Sequence, residues 1–161
     1  MLCPGFVGVD KDIPIDNAFD EVTRRGAPYQ VRFTPFVYKD PKTGHWWLAI
    51  KHPYKPDKII GYWPREIFSE LASSATYIAV GGEAYSPLGQ RLPPMGNGYY
   101  PIEDASKTAY CSNYFVLDAN YQMINPVQTT RYTDNWHYGV YDVAHYLNYG
   151  RTIFFGGTTL E

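Results

Sequence analysis

Charge of either sign in excess, cysteine and uninterrupted apolar runs are all scarce in this sequence. Its 14 Lys and Arg stand against 16 Asp and Glu, for a net charge of -2 and an isoelectric point near 6.1. That balance leaves no electrostatic footprint for nucleic acid. The longest apolar stretches run four or five residues, against about 20 needed to cross a bilayer, so no membrane partner is expected. Met1-Leu2-Cys3-Pro4-Gly5 lacks the charged and apolar regions of a signal peptide. As written, the chain is expected to have no route of its own to secretion. The two cysteines, Cys3 and Cys111, leave a single disulfide and two separate thiols equally open.

Metal and phosphate chemistry are weakly supplied too. Of the four histidines, His45, His52, His137 and His145, the last two are eight apart with no carboxylate or cysteine at a ligand spacing, so no zinc site and no cofactor are expected. No signature surrounds Cys111 that would pair it with a histidine as a thiol nucleophile. Gly96-Asn97-Gly98 reads as a turn, and glycine patterns for phosphate or dinucleotide binding do not occur.

What is present is aromatic and turn-rich. Hydrophobic residues make up 45% and aromatics 17% of the chain, with 16 Tyr, a composition that opposes disorder. The 14 Gly and 13 Pro are spread throughout, as in a strand-and-turn protein. At 161 residues the chain has the size of one domain, 1–161, with room for a proper core.

Along the chain, residues 4–16 alternate loosely and suit a strand, a turn and a second short strand. Residues 17–28 weaken into a loop that ends in Gly26-Ala27-Pro28, and Arg24-Arg25 within it read as solvated arginines rather than a processing site. The clearest hairpin runs from Tyr29-Val31-Phe33, of period two, through Phe36-Val37-Tyr38, a turn at Asp40-Pro41-Lys42-Thr43-Gly44, and back along His45 to Ile50. A proline-punctuated loop at 51–58 leads into Lys58-Ile59-Ile60-Gly61-Tyr62-Trp63.

One short helix is expected at about 64–73. Pro64 suits its first position, and Ile67, Phe68 and Leu71 fall on one face. A helix this short needs packing to persist. Thr76 to Val80 then reads as a buried strand, delivering Glu83 after Gly81-Gly82. A long turn-rich stretch follows from Ser86 to Pro101, of a length that is usually functional or disordered. A second hairpin is expected at Tyr110–Leu117 with Tyr121–Ile124, and a last strand pair at Tyr138–Tyr146 with Thr152–Phe155. Many short strands and one small helix point to a mainly β chain, an antiparallel β-sandwich.

The run IGYWPREIFSELASSATYIAVGGEAYSP, together with LCPGFV at 2–7 and DPKTGHWWL at 40–48, resembles the neprosin family of plant secreted glutamic peptidases. The blocks occur in the family's order and at about its spacing, from residue 2 to FFGG at 154–157. The resemblance implies two curved antiparallel sheets of jelly-roll type, with an active site on the concave face, and a secreted enzyme that cuts proline-containing peptides or proteins after proline. It also implies that the chain begins inside the catalytic domain, N-terminally incomplete, without the strands that carry the first of two catalytic glutamates. In that alignment Cys3 is an orphaned disulfide half and Cys111 a core residue. An incomplete sandwich would expose an edge and an apolar face, so association in light scattering is expected.

Metal-free peptide hydrolysis needs one ionised carboxylate to activate water and one protonated group for the leaving amine. Two neighbouring acids divide those roles because both cannot easily ionise. By resemblance Glu83 is one of them, although a glutamate after two glycines read by itself is a solvated loop residue. Asp10, Asp12 and Asp16 are the nearest preceding acids, and nothing in their spacing marks one as the missing partner. Of the aromatic pairs Trp46-Trp47, Tyr62-Trp63 and Tyr99-Tyr100, one member each is expected in the core and the other on a surface. Trp47, Trp63, Tyr85 and Tyr100 are the expected substrate-lining residues, by resemblance stacking on a prolyl ring, although packing accounts for most tyrosines. The alternative to a glutamic endopeptidase is a catalytically inactive binding or vestigial sandwich.

Overall fold

The computed structural model describes residues 4–16, 18, 21–24, 26–52, 54–126 and 128–158. It is mainly β, built from antiparallel sheets, with no helix of seven residues or more among them. These residues divide into two compact units, one within Met1–Val22 and Val31–Ile78, the other within Thr23–Gln30 and Ala79–Glu161.

The first unit holds a four-stranded antiparallel sheet of order β1-β4-β3-β2, made of β1 (Val7–Gly8), β2 (Thr34–Lys39), β3 (Trp46–Lys51) and β4 (Lys58–Trp63). The hairpin read at 29–50 is present, with its first strand starting at Thr34. Its turn is organised by Asp40, whose carboxylate accepts the Thr43 N–H at 3.0 Å and the Thr43 hydroxyl at 2.5 Å, while Gly44 turns back at φ 76°. Register places Tyr38 opposite Trp47 and Trp47 opposite Tyr62, and the neighbouring row is Lys39, Trp46 and Trp63. A bulge between Leu48 and Ala49 shifts the β4 register at Ile60, which is 2% exposed.

The helix expected at 64–73 is instead two 3₁₀ turns, Arg65–Ile67 and Glu70–Ala72. Phe68 interrupts them with extended backbone, φ -108° and ψ 145°. A ten-residue helix has little to offset the cost of nucleation. Side chains of the sheet hold the carbonyls at its end: Trp46 Nε1–H donates to Leu71 O at 2.8 Å, and Lys39 Nζ donates to Ala72 O and Ser73 O at 2.7 and 2.5 Å. Ile67 and Leu71, the expected buried face, remain 48% and 41% exposed. The buried strand expected at Thr76–Val80 is not formed either. That stretch passes from one unit to the other, finds no ladder partner, and leaves Tyr77 81% exposed. β-branched and aromatic residues favour a strand only where an edge offers them pairing and packing.

The second unit is centred on β9 (Thr152–Gly157), paired on one side with β5 (Ala109–Ser112) and on the other with β8 (Tyr138–Val143). The expected strand 110–117 is broken at Asn113, which takes φ 54°. Its second part, β6 (Val116–Leu117), forms a small hairpin with β7 (Met123–Ile124) around Asp118, whose carboxylate accepts the Asn120 and Gln122 N–H groups at 2.8 Å. Phe154, fully buried, centres the core against Tyr110 and Tyr146, with Thr108, Thr152 and Pro101 also fully buried.

Candidate functional site

Strand pleating sorts the side chains of the β5-β9-β8 sheet. Phe155, Ala109 and Val140 lie opposite one another and share a face with the next row, Ile153, Cys111 and Asp142. Phe154, Tyr110, Tyr141 and Gly139 occupy the other face. Beyond the end of β5, Met95 takes its place beside β9 through a bridge to Gly157, Met95 N–H donating to Gly157 O at 2.7 Å.

Glu83 enters over the Phe155 face. Gly82 rests against Met95 and Phe155 so closely that a β-carbon there would fall 2.6 Å from Met95 Sδ and 3.0 Å from Phe155 Cδ2. The strip that carries Glu83 is thereby seated on the sheet without being a strand of it. Glu83 itself is exposed and makes no hydrogen bond or ion pair among the described residues. Two residues on, Tyr85 is 83% exposed.

Tyr100 lies on the opposite side of this sheet, its ring against Gly139. It is 53% exposed, but the pleat separates it from the Gly82 contact. In the first unit, Trp47 and Trp63 also take opposite faces, because they are paired with Tyr62 and Trp46 in adjacent rows. Trp47 stacks with Tyr62 at 4.7 Å, and Tyr62 in turn with His45 at 4.9 Å. Trp63 packs edge-on against Phe6 at 4.7 Å. Neither sheet thus gathers its own expected site residues on a single face.

Three acids near these elements, Asp10, Asp104 and Asp142, are occupied. Asp10 accepts the Asp12 and Ile13 N–H groups and pairs with Lys58 at 3.6 Å; the Asp12 N–H foremost holds its carboxyl below the ordinary range. Asp104 is lowered chiefly by the Ser106 hydroxyl. Asp142, on the Glu83 side of the sheet, is gripped by Arg151. Nε–H donates to Oδ1 at 3.0 Å and Nη2–H to Oδ2 at 2.6 Å, while the Thr129 hydroxyl donates to Oδ2 at 2.6 Å. Burial acts to raise Asp142, but the Arg151 and Thr129 hydrogen bonds outweigh it and its carboxyl is lowered. The sequence reading missed this pair. Its signal lay in the predicted 138–155 hairpin, but only the register of that hairpin brings residues nine apart together.

Cys111 is a free thiol pushed up by burial; Cys3 and Arg25 lie outside the described residues. His45 Nδ1 accepts the Arg65 N–H at 3.0 Å, and His137 Nδ1 lies 2.9 Å from Asn135 Oδ1, so both rings serve local structure. No group of three or more His, Cys, Asp or Glu among the described residues is arranged to hold a metal ion.

These features define an antiparallel β protein that offers a seated, unpartnered glutamate at a double-glycine strip. The chain belongs to the Neprosin family, whose model matches residues 1–158 and so spans both units. Membership relates it to peptidases. No solved structure matches it.

Proposed function

We propose that this chain carries part of the catalytic apparatus of a glutamic endopeptidase that cleaves proline-containing peptides after proline, with Glu83 as one of its two acids. The observation that carries this reading is the state of Glu83: its strip rests on the sheet through the Gly82 contact, yet its carboxylate is exposed and has no partner among the described residues. A carboxylate reserved for water or a carbonyl needs that combination of seated backbone and free oxygens. Its partner would be a second acid close enough to separate the two pKa values. Trp47, Trp63, Tyr85 and Tyr100 are the aromatic candidates for stacking on a prolyl ring.

Cleavage of a proline-containing peptide at acid pH tests the reading. Glu83→Gln is expected to abolish turnover; turnover unchanged by that substitution removes Glu83 from the mechanism.

A second reading, an inactive binding protein, is favoured by one observation. Asp142, the acid that the sheet presents on the Glu83 side, has both oxygens committed to Arg151 and Thr129 and is not free to serve as the second catalytic group. A chain that binds the peptide without cutting it in the same assay would establish this alternative.

A further inference from the structure

The Arg151 guanidinium joins more than the β8–β9 hairpin. Besides its two bonds to Asp142, it donates through Nη1 to Pro126 O at 3.0 Å and through Nη2 to Thr129 Oγ1 at 2.8 Å. Pro126 and Thr129 belong to the irregular arm between β7 and β8, which also carries Arg131 and the 82% exposed Tyr132. The Asp142 and Arg151 side chains are only 10% and 13% exposed. Because Asp142 points to the same face as Phe155, the arm is tied down over the face on which the Glu83 strip is seated. Along β9 the Asp142 row, opposite Ile153, is one two-residue repeat, about 7 Å, from the row of Phe155, which Gly82 touches.

We propose that Asp142, Arg151 and Thr129 form an acid-released latch that holds this arm beside the Glu83 strip and thereby governs how open that face of the sheet is. The tie of the latch to peptide access rests on the role proposed for Glu83; the latch itself does not.

Its chemistry is that of a bidentate guanidinium–carboxylate pair, which exists only while the carboxylate is ionised. Protonated Asp142 keeps one acceptor oxygen and turns a donor toward Arg151 or Thr129, so the network loses both charge and fit. Among the described residues four groups face Asp142: Arg151 from the turn before β9, Thr129 and Arg131 from the arm, and Tyr114 from the stretch that follows β5. Two of them are cations, and both hold the carboxylate in its ionised form. Release is therefore expected only in acid, as pH falls through the lowered Asp142 value, and closure is complete above the ordinary carboxylate range.

Backbone 15N relaxation on the full chain tests this, followed at residues 128–133 and, as reference, in β8 and β9. On acidification the wild-type arm is expected to fall from the order parameters of rigid backbone, about 0.85, to below about 0.6, while β8 and β9 keep theirs. Thr129→Val, which spares the ion pair, is expected to lower the order parameters of the arm already at neutral pH. Asp142→Asn is expected to leave the arm at the low values throughout the range. If that variant fails to fold, Thr129→Val and the wild-type pH series decide. Arm order parameters in Thr129→Val equal to wild type overturn the latch, as does loss of order in the arm in step with β8 and β9. Neither readout depends on turnover, so failure of the Glu83 reading in the Glu83→Gln assay leaves the latch standing, and the reverse.

Discussion

Gly139 carries Tyr100 on its bare α-carbon: a β-carbon there would stand 2.7 Å from Tyr100 Cζ, 2.9 Å from its hydroxyl and 2.8 Å from Pro101 Cγ. Pro101 is fully buried and cannot give way, whereas the half-exposed Tyr100 ring has open solvent to swing into. Gly139→Ala is expected to cost about 1–3 kcal/mol by overpacking, measured by urea denaturation. Adding Tyr100→Ala should restore part of the loss, with the remainder due to Pro101. An unchanged midpoint for Gly139→Ala would show that the loop slides freely over β8.

The Asp142–Arg151 pair should dominate the acid stability of the second unit. Asp142→Ala leaves a guanidinium with its main partner gone in a nearly closed site, an expected loss of about 3–5 kcal/mol. In the folded chain the Asp142 carboxyl lies below the value of an unfolded aspartate, because the Arg151 and Thr129 hydrogen bonds outweigh its burial. Its contribution is therefore complete above the unfolded value and disappears as pH falls through the folded one. Denaturant melts between neutral and acid pH should converge for wild type and Asp142→Asn at the low end. Parallel curves with no convergence would place the stabilisation elsewhere.

Trp46 links β3 to the turn at Glu70–Ala72 through its indole N–H. Trp46→Phe keeps most of the packing and removes that donor, for an expected loss of about 1 kcal/mol. It should also raise hydrogen exchange in 70–73 while sparing β4. Equal protection there would mean that Lys39 holds the turn unaided.

Cys111 should be a slow thiol. Burial pushes it up and so depletes the reactive thiolate at neutral pH. Iodoacetamide labelling, mapped to the peptide that contains Cys111, is expected to be at least tenfold slower than in urea. Equal rates would show that β5 is open to solvent.

Much of the architecture was legible before any coordinates. The Asp40–Gly44 turn announced its hairpin because each of its residues has a local reason to turn. The β8–β9 pair was visible because two apolar runs flank a short break at 147–151. The expected 64–73 helix has the right apolar spacing, but extended Phe68 divides it into two 3₁₀ turns whose Ile67 and Leu71 stay largely exposed, so no burial offsets the cost of nucleation. The 76–80 stretch, for all its β-branched and aromatic residues, joins none of the sheet edges among the described residues. At the candidate site, Glu83 was named from a motif, but what seats it, the fit of Gly82 on Met95 and Phe155, joins residues far apart in the chain.

By itself the sequence determined the family, the β character and the principal turns, because each of these is written in short-range pattern. Tertiary structure decided which aromatic residues share a face, which acids are free and which are consumed, and where the arm around Thr129 is tied. Those properties depend on strand register, where a shift of one residue sends every side chain to the opposite face, and local pattern does not fix the register between distant strands.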